Sequence, residues 1–328
     1  MMKTEILTLL RESEDFISGQ QLCEKFGVSR TAVWKAIGRL KKEGYQIEAV
    51  QNRGYRLAVT PDAFSEAELA SRIHTAWAGK RLHYYGRTDS TNLRAKQLAE
   101  ENAPHGTLVV ADMQTAGRGR RGRGWESPAG TNVYFTILLR PDDINADMIS
   151  ILTLVMALSV SEAIDETAGT QTKIKWPNDI ILNGRKIVGI LSEMSAEPKY
   201  IHYVVTGVGI NVGTQRFSEE LAQKATSLEA ELGHKISRAM LVEKAMERFE
   251  ENYEIFRRSG DMGGLKESYE RRLVNTGREV RVLDLEHEFS GRAVGINDTG
   301  ELLVQTEDGV MHTVYAGEVS VRGIYGYV

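Results

Sequence analysis

At 328 residues the chain holds two or three domains of about 150 residues each, and its 41 % apolar content is enough to give each one a core. Its 41 basic and 45 acidic side chains leave a net charge of −4, which excludes a histone-like polyanion coat while permitting a local basic patch. The single cysteine, Cys23, excludes an intramolecular disulfide framework and any zinc site built on two or more cysteines of this chain.

The N-terminus, Met1-Met2-Lys3-Thr4-Glu5-Ile6, runs quickly into Arg11-Glu12-Ser13-Glu14-Asp15 and carries no secretory pattern. No window approaches about 18 uninterrupted apolar residues, so a cytoplasmic protein with no membrane partner is expected. Residues 1–60 hold ten basic and seven acidic side chains, a net +3, whereas the remainder carries −7. A basic head on an acidic body implies that the head has its own partner. Leu22 and Phe26 lie four apart on one helix, Gly27-Val28 makes a turn, and Ser29 caps a second helix. In that second helix Val33, Ile37 and Leu40 form a buried stripe. Six basic residues and no acid lie between Glu24 and Glu43. Ile47–Leu57 then turns at Asn52-Arg53-Gly54, a basic hairpin, so residues 1–60 read as a winged helix-turn-helix. Ser29, Arg30, Thr31, Lys35, Arg39 and Lys42, with Arg53 and Arg56 of the wing, are the expected DNA contacts. The bland alternative is a helical interaction module with a solvated basic face. Trp34 and Cys23 are expected in the core.

A domain join is expected over Ala58-Val59-Thr60-Pro61-Asp62, with Ser65-Glu66-Ala67-Glu68 as a capping box behind it. Val133, Phe135, Ile137 and Leu139 alternate as in a half-buried strand. Met148–Ile164 reads as a long helix, and Ile180–Val188 as a hairpin around Asn183-Gly184. Further helices are predicted at about 217–232 and 238–258. Short strands follow at Glu279–Asp284, Phe289–Ile296, Glu301–Gln305, Met311–Tyr315 and Glu318–Arg322, the pattern of a small β-barrel.

The run Gly117-Arg118-Gly119-Arg120-Arg121-Gly122-Arg123-Gly124-Trp125 matches the dinucleotide fingerprint literally. That fingerprint needs a helix directly behind it to meet pyrophosphate, and Trp125-Glu126-Ser127-Pro128-Ala129-Gly130 does not open one. What remains is a loop with four arginines and no acid between Asp112 and Glu126, suited to gripping carboxylate or phosphate oxygens. A nonspecific RNA-binding tract is the alternative.

Gln114-Thr115-Ala116 ahead of this loop, the loop itself, Ser90-Thr91-Asn92, Lys175-Trp176-Pro177-Asn178-Asp179, Gly189-Ile190-Leu191-Ser192-Glu193 and Gly207-Val208-Gly209-Ile210-Asn211-Val212 together resemble biotin–protein ligases in order and spacing. With the winged helix in front, the whole chain resembles the bifunctional biotin–protein ligase and biotin operon repressor family. Gly124 departs from relatives that carry Lys before the Trp. The resemblance implies an α+β protein: a winged helix at 1–60, a central mixed α/β ligase domain at 65–270 and an SH3-like barrel at 273–328.

The resemblance also implies the chemistry: biotin and ATP as substrates with Mg²⁺, biotinyl-5′-AMP as intermediate, and transfer of biotin to a lysine of biotin carboxyl carrier protein. Operator DNA and a homodimer formed with the adenylate are the further implied partners. Lys186, Arg118 and Arg120 are the implied catalytic groups. Ser90, Thr91, Asn92, Gln114, Gly117, Gly119, Gly207 and Gly209 join them around biotin. Arg120, Arg121, Trp125, Lys175, Asn178 and Asn211 serve the nucleotide. No metal ligand stands out. Trp176 is expected in the core, Ser90 doubles as an N-cap, and Lys186 taken without its motif would be an exposed hairpin lysine. A ligand-sensing repressor without catalysis and a lipoate–protein ligase remain as alternatives, separated by what the carrier protein receives when given ATP with biotin or lipoate.

Overall fold

The computed structural model describes residues 2–60, 62–141, 148–197, 200–213, 217, 219–283, 288–316 and 320–323. The expected join at Pro61, the end of the first barrel strand at Asp284 and the start of the last at Glu318 lie outside the described residues. Two compact units form: residues 1–74 with 237–243, and residues 75–236 with 244–328.

The first unit opens with α1 (Met2–Glu12), α2 (Gly19–Phe26) and α3 (Arg30–Lys42). Ser18 accepts the Gln21 N–H at 3.1 Å and the Gln21 side chain accepts that of Ser18 at 2.8 Å, a reciprocal cap that starts α2. Gly27 ends it at φ +63°, and Ser29 caps α3 through the Ala32 N–H. Val33, Ala36, Ile37 and Leu40 of α3 pack with Ile6, Leu7, Leu10 and Leu22, as the stripe predicts. Cys23 packs against this core. Trp34 does not: it is 66 % exposed, because it sits about 100° round the helix from Val33. β1 (Gln46–Val50) and β2 (Gly54–Val59) form the wing. Ile17 extends it by exchanging 2.8 and 2.9 Å backbone bonds with Tyr55. A Cβ on Gly54 would strike the Ile17 carbonyl, and its φ of +110° favours glycine independently.

Ser65 caps α4 (Glu66–Ala70) through the Glu68 N–H at 3.3 Å, but the expected reciprocal half of the box is absent. The Glu68 side chain turns inward instead and is 1 % exposed. It accepts from Tyr45 Oη at 2.6 Å, Arg11 Nη2 at 2.9 Å and Arg72 Nε at 2.5 Å. Arg72 also donates to Glu243 at 2.9 Å. Burial and the Glu68 bond both push the Tyr45 phenol pKa upward.

The second unit is built on a seven-stranded sheet ordered β3-β4-β5-β9-β8-β7-β6. Its strands are β3 (Leu82–Tyr85), β4 (Thr107–Ala111), β5 (Val133–Leu139), β6 (Lys173–Lys175), β7 (Asp179–Leu182), β8 (Arg185–Glu197) and β9 (Tyr200–Ile210). Among the described residues of this sheet only β3 and β4 run parallel. β5 is buried at all seven positions, not on one face as its alternation suggested. It pairs with β4 on one edge and β9 on the other, and α5 (Thr91–Glu100) packs on it. α6 (Ile149–Ala168), the expected long helix, packs along β6 to β9.

The helix expected at 217–232 is two short pieces, α7 (Glu219–Ala222) and α8 (Leu228–Leu232). Between them the chain bonds to β8: Lys186 N–H to Lys224 O at 2.8 Å, and Thr226 N–H to Lys186 O at 2.9 Å. Those backbone bonds replace helical ones. α9 (Arg238–Ser259) and α10 (Lys266–Glu270) follow. Then come β10 (Glu279–Leu283), β11 (Glu288–Ile296), β12 (Leu302–Gln305), β13 (Met311–Val314) and β14 (Ser320–Gly323). They form an antiparallel sheet ordered β13-β12-β11-β10-β14, and no β13–β14 ladder closes it among the described residues. Trp176 is core, 2 % exposed, with its indole N–H on Gly300 O at 3.0 Å. Among the described residues no helix is long and apolar enough to cross a membrane.

Candidate active site

A cleft of about 730 Å³ opens over β8 and β9 within the second unit, in the size range of small-molecule sites. Its floor is glycine. Gly189 and Gly209 face each other across the two strands, and the Trp125 indole lies over both. A Cβ would come within 2.7 Å of that ring at Gly189 and 2.5 Å at Gly209. At Gly207 it would collide with the Asn92 amide.

One wall is neutral. Ser90, Thr91 and Asn92 at the start of α5 line it together with Gln114 and Gly117. Gln114 Oε1 accepts from Thr91 N–H at 2.8 Å, while its Nε2 donates to Ser127 Oγ at 2.9 Å. Ser90 occupies the N-cap position yet makes no side-chain cap bond. Asn92 is engaged by the protein: Nδ2 donates to Glu193 at 2.8 Å and to Leu191 O at 3.2 Å, and Oδ1 accepts from Thr136 at 2.7 Å. Its amide therefore shapes the wall rather than offering a spare donor. Burial favours the neutral Glu193 carboxyl, but bonds from Lys96 and Asn92, with the Lys96 and Arg118 charges, outweigh it and hold the pKa low.

The other wall is cationic. The Gly-Arg loop folds back on itself, with Gly119 N–H on Arg123 O at 2.7 Å and Trp125 N–H on Gly117 O at 2.9 Å. Arg121 turns it at φ +57° and Gly122 at +70°. Arg118, Arg120, Arg121 and Arg123 all line the cleft, as does Gly119. Arg120 donates to Asn178 Oδ1 at 2.9 Å and Ala316 O at 3.0 Å, and burial lowers its pKa against the pull of Asp179.

Lys186 stands between the walls. It is 22 % exposed, with Nζ 2.5 Å from Asp179 Oδ1 and 5.3 Å from the Trp125 ring centroid. It is therefore not the solvated hairpin lysine that its turn alone would suggest. Asn178 and Asn211 line the cleft, Asn211 with its Nδ2 on Thr226 O at 3.1 Å. Lys175 does not: it is 5 % exposed on β6 and is absent from the lining. Of that motif it is Asn178 and Asp179 that line the cleft.

Over 323 residues the chain is 42 % identical to the bifunctional ligase/repressor BirA of Bacillus subtilis, spanning 98 % of each protein. It belongs to the bifunctional ligase/repressor family of biotin–protein ligases. The Escherichia coli family member is 29 % identical over 97 % of this chain and 96 % of that one. Family models match in three places: an HTH domain at 3–56, the biotin/lipoate A/B protein ligase family at 84–211, and the biotin protein ligase C-terminal domain at 276–322. Among solved structures, biotin protein ligase from Aquifex aeolicus in complex with biotin and ATP is 35 % identical. It superposes with a TM-score of 0.66 over 74 % of this chain and 99 % of that one.

Sequence reasoning passed over Asp179, Thr136 and Glu193, and also Phe217, Leu221 and Lys224, which line the cleft. For Asp179 a signal existed. An Asn-Gly turn fixes the hairpin register, and that register places Lys186 opposite Ile181, two residues from an acid in a quoted motif. For Leu221 and Lys224 there was none, because the chain there is placed by backbone bonds of Lys224 and Thr226 to β8.

Proposed function

We propose that this protein activates biotin with ATP, transfers it to a lysine of biotin carboxyl carrier protein, and represses biotin genes when loaded with biotinyl-5′-AMP. The observation that carries the ligase reading is one glycine floor shared by a neutral wall and a cationic wall, with Lys186 between them. Neutral donors and acceptors suit the ureido ring, and guanidinium groups suit phosphate.

In the first step a biotin carboxylate oxygen bonds to the α-phosphorus of ATP, the bond to the bridging oxygen breaks, and pyrophosphate leaves. The carboxylate is already ionised, so no general base is required. Two anions must be brought together, and Lys186 with Arg118 and Arg120 offsets their repulsion. In the second step the neutral amine of the carrier lysine attacks the acyl carbon. AMP departs, and the amine proton passes to solvent.

Mg²⁺ is held by one or two carboxylates plus substrate phosphates, and Glu126 and Asp179 are the carboxylates that line the cleft. No group of three metal-ligating side chains forms among the described residues, so the ion would arrive with ATP, where it would neutralise charge on the departing pyrophosphate. Mass spectrometry of carrier protein incubated with ATP and either biotin or lipoate tests the reading; a lipoyl adduct alone would overturn it. Arg120→Gly should raise the release rate of the adenylate roughly 10–100-fold, since charge-assisted hydrogen bonds contribute about 1.5–3 kcal/mol. Unchanged stopped-flow release would remove Arg120 from the clamp.

Repression on a two-fold operator requires a dimer, since one winged helix covers one half-site. β9 pairs with β8 on one edge through Glu197, but on the other edge β7 covers β8 only along Arg185–Gly189, and no strand flanks Leu191–Glu197 on that edge among the described residues. An open strand edge is a template for a second chain. Adenylate binding and dimerisation are then coupled reciprocally. Biotin with ATP should raise both the dimer fraction in sedimentation and the operator affinity, more than biotin alone. Identical values with and without adenylate would separate the two activities.

A further inference from the structure

The exposed tryptophan of α3 remains unexplained by the fold. At about 100° per residue, Trp34 lies on the exposed side of α3, away from the buried Val33, Ala36, Ile37 and Leu40, with Gly38 and Thr31 beside it. Arg30 and Lys41 flank them on one side, Lys35 and Lys42 on the other. Nothing in the packing demands glycine at 38: a Cβ there meets nothing within 4 Å. A glycine inside a helix nevertheless costs about 1 kcal/mol. Its absence of a side chain leaves the Trp34 ring uncovered one turn away.

A bulky apolar group within an acid-free basic face is matched to an anionic surface that carries its own apolar feature. The DNA major groove is such a surface, flanked by phosphates and bearing the thymine C5-methyl as its apolar mark. A protein partner recognised by the basic rim would need acidic side chains, which offer the indole nothing.

We infer that Trp34 is a specificity-determining residue that packs on thymine methyl groups in each operator half-site. This rests on the DNA-binding reading above. The basic residues supply affinity for any duplex, Gly38 lets the helix approach closely, and the indole distinguishes thymine from cytosine by its methyl.

The test uses the full chain with biotin and ATP, and duplexes selected by the wild-type protein from a random pool. Each thymine of the half-site is replaced in turn by uracil, which removes only the methyl. One or two replacements should weaken wild-type binding about four-fold each, the value of one buried methylene-sized group. In Trp34→Ala the same replacements should have no effect, and Trp34→Phe should restore part of it. Because an apolar contact releases no counterions, the salt dependence should be the same in Trp34→Ala and wild type. Circular dichroism should report an intact fold for a side chain that is 66 % exposed. Equal uracil penalties in Trp34→Ala and wild type would overturn the assignment, as would a reduced salt slope. Failure of the wild-type protein to select any duplex would overturn the DNA-binding reading itself, and this inference with it.

Discussion

Lys186→Ala is expected to slow pyrophosphate release from biotin and ATP by about 10²–10³-fold, the usual effect of deleting one preorganised charge partner of a transition state. The fold should survive, because β8 holds its register through backbone ladders to β7 and β9 and the Lys186 side chain packs in the cleft rather than the core. The substitution has a second consequence. Asp179, 2.5 Å from Lys186 Nζ, loses that partner and then repels the incoming anions. Lys186→Ala combined with Asp179→Asn should therefore depart from the product of the two single effects, a non-additivity that marks residues acting together. Near-wild-type release in Lys186→Ala would take the lysine out of the reaction.

Lys186 also shows how far the sequence was legible. Its strand, its turn and its sheet neighbour followed from Asn183-Gly184, since a two-residue hairpin leaves the register little freedom. The helix-turn-helix was equally legible, because its turn, cap and apolar stripe are local: Gly27 and Ser29 act within four residues of their targets. Features set by distant chain were not. β5 alternates in sequence yet is buried on both faces, since β4, β9 and α5 arrive from elsewhere. Trp34 was misplaced because a large apolar residue was assigned inward by type, although its helical angle pointed outward. Asn92, on α5, carries the right motif, yet Glu193 of β8 and Thr136 of β5 engage its amide. Glu68 was read as half of a local cap while its side chain serves residues as distant as Arg11.

Glu68→Ala is expected to destabilise the first unit by about 3–5 kcal/mol, the range for removing one partner of a buried ion pair. Glu68 is 1 % exposed, and Arg11, Arg72 and Tyr45 all donate to it. Removing the carboxylate leaves two guanidinium groups, 18 % and 13 % exposed, close together with no common counter-charge. Arg72 keeps Glu243 at 2.9 Å, but Arg11 and Tyr45 lose the Glu68 acceptor, so the cost falls on α1 and on the chain behind α3. Glu68→Gln, which keeps acceptor oxygen without charge, should cost less. Hydrogen exchange is the discriminating measurement, because local stability varies along a chain. Amides of residues 2–59 should lose protection in Glu68→Ala while those of β8 and β9 keep theirs, and adenylate synthesis should persist as operator binding fails. Unchanged protection in α1 and α3 would mean that the four-residue cluster contributes no stability to the winged helix, and that its apolar core alone sets the position of the α3 face.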